Sequence, residues 1–107
     1  MSPAQVLSSG RIMVPREAVA GFCRKHHIRR LALFGSVLRD DFRADSDVDV
    51  LVEFEPTHVP GFFALFAMEQ ELGEIVGRKV DLNTPGSLSK YFRARVLAEA
   101  VPLHDAA

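Results

Sequence analysis

The stretch "LALFGSVLRDDFRADSDVDVLVEF", residues 31–54, decides the fold, because it places a glycine–serine pair between two apolar runs. The first run begins at Arg29 and is typical of a short buried strand, which Gly35 ends. Ser36 suits the N-cap of a short helix in the residues that follow. The stretch therefore predicts a strand, a short helix and a second strand in direct succession.

The second apolar run alternates along the chain and predicts a strand with two different faces. Asp47 and Asp49 share one face, with about 6.5–7 Å between their Cα atoms. Carboxylates in a buried strand are costly unless something compensates them, and Mg²⁺ is the hard cation that pairs carboxylates with phosphates. The alternation puts four apolar side chains on one face, Val48, Val50, Val52 and Phe54, and four on the other, Asp47, Asp49, Leu51 and Glu53.

A third acid, Asp81, lies between apolar residues on another short predicted strand. Three carboxylates from neighbouring strands are enough to hold the metals of a two-metal phosphoryl or nucleotidyl transfer site. The Asp-x-Asp pair alone is more often a solvated strand end, and a lone acid on an edge strand is weaker evidence still. Gly35 and Ser36 favour a site, because glycine lets the backbone approach a ligand and a helix start binds anions.

The rest of the chain supplies alternating helices and strands. Periodicity predicts helices over 15–27 and 61–76, a strand over 78–82, and a last helix capped by Ser87 that ends near Pro102. This order predicts an α/β fold, a small mixed β-sheet of about three to four strands with helices packed on it. The phenylalanines at 62, 63 and 66 are expected to pack in the core, with Phe63 off the main stripe and available for an interface.

Composition restricts the class of protein. With 107 residues, 48% of them hydrophobic and 25% charged, we expect one globular domain over 13–107 and a loose N-terminus over 1–12. The single Cys23 excludes a disulfide framework, and no apolar span or signal pattern is evident, so a cytoplasmic protein without membrane contact is expected. A net charge of −1 argues against tight nucleic-acid binding.

The combination of motifs is more specific than any one of them. A Gly-Ser pair, an arginine three residues after the serine, and Ser-Asp-x-Asp on the next strand together resemble the nucleotidyltransferase superfamily of the DNA polymerase beta type. The small size resembles its minimal members, the antitoxin-like nucleotidyltransferases that are often paired with HEPN-domain toxins. The resemblance covers roughly residues 15–105 and implies the polymerase beta-like fold.

The resemblance implies a role for each matching residue. Gly35, Ser36 and Arg39 would bind the phosphates of a nucleoside triphosphate. The aspartates Asp47, Asp49 and Asp81 would form the catalytic and metal-binding set, with two Mg²⁺ ions expected and Asp81 as the general base. Two further acids follow Arg39, and the basic residues of 90–95 are expected on a solvated helix face.

Two kinds of function follow. The first is an enzyme that transfers AMP from ATP to a hydroxyl, and the resemblance points to a tyrosine of a cognate HEPN toxin, which would make the chain an antitoxin. The alternative is a catalytically weak module that neutralises a partner protein by contact. RNA-directed transfer and transfer to aminoglycoside-like small molecules are disfavoured, because the chain has little basic surface and no additional structure to hold such acceptors.

Overall fold

The computed structural model describes residues 4–6, 13–39, 42–43 and 45–105. Three short 3₁₀ turns, Gly35–Leu38, Pro56–His58 and Pro85–Ser87, lie between the regular elements. The helices and strands, in chain order, are β1 (Ala4–Val6), β2 (Met13–Pro15), α1 (Arg16–Lys25), β3 (Ile28–Phe34), β4 (Val48–Phe54), α2 (Phe62–Val76), β5 (Val80–Asn83), α3 (Arg93–Glu99) and β6 (Val101–Asp105).

The main sheet confirms the predicted α/β class. It has four strands in the order β5-β4-β3-β6, and β3 runs antiparallel to both of its neighbours. β4 and β5 are parallel, and α2 makes the crossover between them that a parallel pair requires. Because the two strands are parallel, the first residues of β4 and β5 lie side by side at the same end of the sheet.

The two faces of β4 bury their apolar residues in two separate clusters, as the alternation predicts. Val48, Val50 and Val52 belong to the larger cluster, which also contains residues of α1 and α2. Leu51 belongs to the smaller cluster on the opposite face, where it packs with Ala32. Both faces of β4 are therefore covered, and an acid near its first residue is partly removed from water.

Cys23 lies fully buried on α1, within the larger cluster. Burial raises the pKa of the thiol to about 12, although the nearby Arg24 acts in the opposite direction. The thiol therefore stays protonated at neutral pH, and its role is packing.

The last helix and the C-terminal segment differ from the prediction. α3 begins at Arg93 with Phe92 at its N-cap, so the predicted start at Ser87 is wrong. Ser87 instead lies in a 3₁₀ turn. The chain after α3 forms β6, which pairs with β3 at the edge of the sheet. This strand was not predicted, because it contains Pro102. Proline is compatible with an edge strand, since the backbone N–H groups on the outer side of that strand have no neighbouring strand to pair with.

The core packing predicted for Phe62 and Phe66 is also wrong. Their exposed fractions are 79% and 55%, and Phe63 is 85% exposed. α2 reaches the core chiefly through Met68 and Leu72. A helix of 15 residues is about 22 Å long, whereas the four-residue β5 that it covers spans only about 13 Å, so its first turns extend past the sheet.

The N-terminal segment forms a separate two-stranded pairing. β1 runs antiparallel to β2, with Gln5 opposite Val14. Of the predicted loose segment 1–12, only Ala4–Val6 is described, and the rest lies outside the described residues. Among the helices that the structure describes, none is long and apolar enough to cross a lipid bilayer.

Candidate active site

Three aspartates lie at the end of the sheet where β4 and β5 begin. Asp49 and Asp81 are direct partners in the parallel register of the two strands, so their side chains leave the same face. Asp47 precedes β4 and is two residues from Asp49, which places it on that face as well. Asp47 and Asp81 are exposed, whereas Asp49 is half-buried. The register thus places the three predicted carboxylates on the same face of the sheet, at the end where β4 and β5 begin.

The electrostatics of Asp49 show that the three acids interact. Burial raises the pKa of the Asp49 carboxyl above its ordinary range, and the charges of Asp81 and Asp47 raise it further. A hydrogen bond donated by the backbone N–H of Ser36 and the charge of Arg39 act in the opposite direction. The site therefore concentrates negative charge that a cation would relieve.

Gly35 joins the end of β3 to this acidic group. Its φ of +76° lies in the left-handed region that favours glycine. A Cβ at this position would also collide with the Asp49 carboxylate, lying 3.2 Å from its Cγ and closer still to one oxygen. Gly35 was predicted to let a ligand approach the backbone. The structure adds that the Asp49 carboxylate occupies the space that a side chain at position 35 would fill.

The turn after Gly35 is a 3₁₀ turn in which Ser36 is not the N-cap. The N-cap is Phe34, and the turn makes no side-chain capping hydrogen bond, so the predicted capping role of Ser36 is wrong. Ser36 instead donates its backbone N–H to Asp49, and its carbonyl accepts a hydrogen bond from the Arg39 N–H at 2.9 Å. The turn therefore ties Asp49 and Arg39 together through the backbone. Asp40 and Asp41 lie outside the described residues.

A cleft of about 400 Å³ opens beside Asp49, a size typical of small-molecule sites. One wall comes from the ends of β3 and β4, and the other from α3. The predicted residues Gly35, Arg39 and Asp49 line it, whereas Ser36, Asp47 and Asp81 do not. The lining residues are Phe34, Gly35, Arg39, Asp49, Phe92, Arg95, Val96 and Glu99.

The α3 wall is the part that sequence reasoning missed. Arg95, one of the basic residues of 90–95, was expected on a solvated helix face. Arg95 is exposed and pairs with Glu99 at 3.1 Å, while Phe92 stands at the start of α3. The available signal was the basic cluster of residues 90–95, of which Arg95 lines the cleft with Asp49. The position of α3 follows from β6, the next element in the chain, which pairs with β3.

The donor set fits a cation that arrives with phosphates. Among the residues that the structure describes, no group of three Asp, Glu, His or Cys side chains could hold a metal ion as they stand. Mg²⁺, however, is usually bound through one or two carboxylates together with substrate phosphates and water. Asp47 and Asp49 can supply those carboxylates, and Asp81 lies next to Asp49 on the neighbouring strand.

We expect Asp49→Asn to raise the melting temperature of the ligand-free protein at pH 7. A carboxyl whose pKa is raised by folding stabilises the fold when protonated, and this stability is lost as the pH rises through the folded-state pKa. At pH 7 the ionised Asp49 carboxylate therefore destabilises the fold. The neutral amide of asparagine removes this cost. Because Asp49 is half exposed, the gain is at most a few degrees. Thermal unfolding followed by circular dichroism should show a gain that shrinks as the pH falls through the folded-state pKa of Asp49 and vanishes below the ordinary aspartate pKa. A lower melting temperature of Asp49→Asn at pH 7 would contradict the electrostatic account.

Comparison with known sequences gives the family. Residues 16–104 match the sequence profile of the Nucleotidyltransferase domain family. A protein of Methanocaldococcus jannaschii, provisionally named a protein adenylyltransferase, is 36% identical over 77 residues, which cover 72% of this chain and 81% of that protein. Protein adenylyltransferase MntA of Thermococcus cleftensis is 36% identical over 74 residues, covering 69% of this chain and 73% of that protein.

Solved structures agree with the sequence comparison. A structure provisionally named a minimal nucleotidyltransferase aligns with a TM-score of 0.67 at 37% identity, over 81% of this chain and 87% of the other. A toxin–antitoxin crystal structure with AMP-PNP aligns with a TM-score of 0.69 at 20% identity, over 86% and 74% of the two chains, and shows the shared fold. The resemblance that the Gly-Ser and Asp-x-Asp motifs indicated is confirmed. The chain therefore belongs to the Nucleotidyltransferase domain family and is a nucleotidyltransferase.

Proposed function

We propose that this chain transfers AMP from ATP, with Mg²⁺, to a tyrosine hydroxyl of a HEPN-domain toxin and so acts as its antitoxin. The observation that carries the proposal is the convergence of Asp47, Asp49 and Asp81 beside the Gly35–Ser36 turn. Mg²⁺ would supply the positive charge that offsets this group of acids. The phosphate oxygens of a nucleoside triphosphate would be its further ligands. The names of the sequence relatives support a protein as the acceptor.

The transfer is an in-line displacement at the α-phosphorus. The hydroxyl oxygen of the acceptor forms a bond to that phosphorus, the bond to the bridging oxygen breaks, and pyrophosphate leaves with the electron pair. Asp81 takes the hydroxyl proton, and its exposure lets an acceptor carried by another macromolecule reach it. Arg39 and the Gly35–Ser36 backbone orient the phosphates. When bound, Mg²⁺ neutralises phosphate charge and aligns the attack.

The fold neighbours support a HEPN-domain partner. One is a crystal structure of the toxin–antitoxin pair MntA–HepT, with a TM-score of 0.61 at 20% identity. Another, at the same TM-score and identity, holds a tri-AMPylated HEPN toxin of Shewanella oneidensis in complex with its MNT antitoxin. The site has an open cleft. A partner protein that docks with its own surface against this chain would place its acceptor hydroxyl at that cleft.

A second candidate function is inhibition by contact alone, and the exposed aromatic residues of α2 favour it. Phe62, Phe63 and Phe66 are each more than half exposed, and so is Val59, three residues before Phe62 in the chain. Exposed apolar patches of this kind mark protein interfaces more often than chance. Contact and transfer are compatible, because the same docking would present the acceptor.

We expect Phe63→Asp to weaken the complex with the HEPN partner by roughly 30-fold or more, the effect of losing an aromatic interface anchor. The ATP affinity of the isolated chain should not change, because Phe63 lies outside the cleft. Gln70→Asp adds the same charge to another exposed position of α2 and serves as the matched control. Surface plasmon resonance gives the affinities, and equal losses in both variants would show a charge effect and not a docking contact.

The proposed chemistry is tested with the purified chain, ATP, Mg²⁺ and a HEPN-domain toxin as the candidate partner. We expect pyrophosphate release that stops when Mg²⁺ is chelated, and peptide mass spectrometry should place AMP on a tyrosine. AMP on a serine or threonine would correct the acceptor and leave the reaction class intact. Pyrophosphate release that persists in the absence of every divalent cation would contradict the role given to Mg²⁺.

A further inference from the structure

Phe92 is an aromatic residue outside the buried core. Neither of the two buried clusters in the described part of the chain includes it. Its side chain is 48% exposed and lines the cleft together with Gly35 and Asp49. A large, half-exposed aromatic side chain in a ligand-sized cleft is a candidate for contact with the ligand.

The wall of the cleft around Phe92 is packed on the core and held by backbone hydrogen bonds. Phe34 and Val96 line the cleft, and both pack against the smaller buried cluster. The Phe92 N–H donates a hydrogen bond of 3.2 Å to the Ser89 carbonyl, and the Phe92 carbonyl accepts one of 3.0 Å from the Val96 N–H. The backbone that carries Phe92 is therefore anchored, so a flat ligand would meet an aromatic side chain on a fixed support.

The two walls of the cleft carry different side chains. Gly35, Arg39 and Asp49 belong to the wall from β3 and β4, where the triphosphate and its cation are proposed to bind. Arg95 and Glu99 lie on α3 and pair with each other at 3.1 Å, but both are mostly exposed, so little is lost when a ligand separates them. The α3 wall thus offers the apolar Val96, the aromatic ring of Phe92 and two adaptable polar groups, which suits a nucleoside better than another phosphate.

We propose that Phe92 is the stacking platform for the base of the nucleotide and that α3 forms the nucleoside-binding wall of the site. This inference rests on the proposed function, because it takes ATP as the ligand. Every nucleobase has a π-face, and stacking on an aromatic side chain contributes binding energy without reading the base edge. Phe92 contacts the ligand in this account but does not touch the reacting phosphorus.

The test compares ATP with inorganic tripolyphosphate, which has the phosphates but no base. In the presence of Mg²⁺, Phe92→Ala should raise the Kd for ATP roughly tenfold, the usual effect of losing one stacked base, and should leave the Kd for tripolyphosphate unchanged. Phe92→Tyr keeps the ring and should restore ATP affinity. Tyr91→Ala removes the neighbouring aromatic residue, which is 88% exposed and does not line the cleft, and should change neither Kd.

The outcomes separate this inference from the function on which it rests. A wild-type chain that binds ATP, with an unchanged Kd in Phe92→Ala, would overturn the stacking role and leave the proposed function standing. An equal loss of affinity for ATP and tripolyphosphate would also overturn it, because the residue would then support the fold of the cleft. A wild-type chain without measurable ATP affinity would overturn both.

Discussion

Gly35→Val is expected to reduce ATP binding and AMP transfer below detection. Valine at a φ of +76° is strained by about 1–3 kcal/mol, so the variant will be less stable. Its Cβ would also collide with the Asp49 carboxylate and push that side chain out of the acidic group. The second effect is the one that removes function, because Asp49 connects the Ser36 backbone, Arg39 and the other two aspartates.

Gly77→Val separates strain from displacement of Asp49. Gly77 ends α2 with a φ of +73°, close to that of Gly35, but a Cβ there would meet nothing within 4 Å. This variant should lose a similar amount of stability and retain ATP binding. Calorimetric ATP titrations of both variants, below their melting temperatures, check the prediction. Comparable ATP affinity in the two variants would contradict the link between Gly35 and Asp49.

Asp49→Asn is expected to lower the rate of AMP transfer by roughly 10²–10³-fold, which corresponds to several kcal/mol of lost transition-state stabilisation. The amide has nearly the same shape but lacks the charge that would hold the cation. The same substitution is expected to stabilise the ligand-free fold, since it removes a half-buried charge together with its repulsion from Asp81 and Asp47. A variant that is more stable but nearly inactive is typical of a residue kept for function and not for folding.

Asp45→Asn is the matched control for this substitution. Asp45 is an exposed turn residue shortly before β4, and it is not among the causes of the raised pKa of Asp49. Its neutral variant should keep both the rate of transfer and the melting temperature. Pre-steady-state measurement of pyrophosphate release gives the rates. A tenfold or larger loss in Asp45→Asn would show that net negative charge, and not ligation by Asp49, is being measured.

The elements that carry local patterns were predicted well from the sequence. The alternation of residues 47–54 gave both faces of β4, because side chains on a strand change sides at every residue. The helical spacing of apolar residues over 61–76 predicted α2, which spans Phe62–Val76. Asp81 was expected only to come from a neighbouring strand, and the register of the two parallel strands places it opposite Asp49.

The features that depend on contacts distant in sequence were missed. β6 contains Pro102, and only its place at the sheet edge makes that residue compatible with a strand. Arg95 and Phe92 reach the cleft because α3 is carried back to the sheet by β6, which no local pattern encodes. The exposure of Phe62 depends on the length of α2 relative to β5. The periodicity of apolar residues predicts which side of the helix is apolar, but not how much of that side the sheet covers.

The mass of the HEPN-domain partner, measured intact after incubation with this chain, ATP and Mg²⁺, tests the central claim most directly. We predict that the mass increases by one or more AMP groups, that the modified partner loses its toxic activity, and that Asp47→Asn with Asp49→Asn prevents both changes. A tight complex that silences the partner without any change in mass, although all three aspartates are intact, would contradict catalysis and support inhibition by contact.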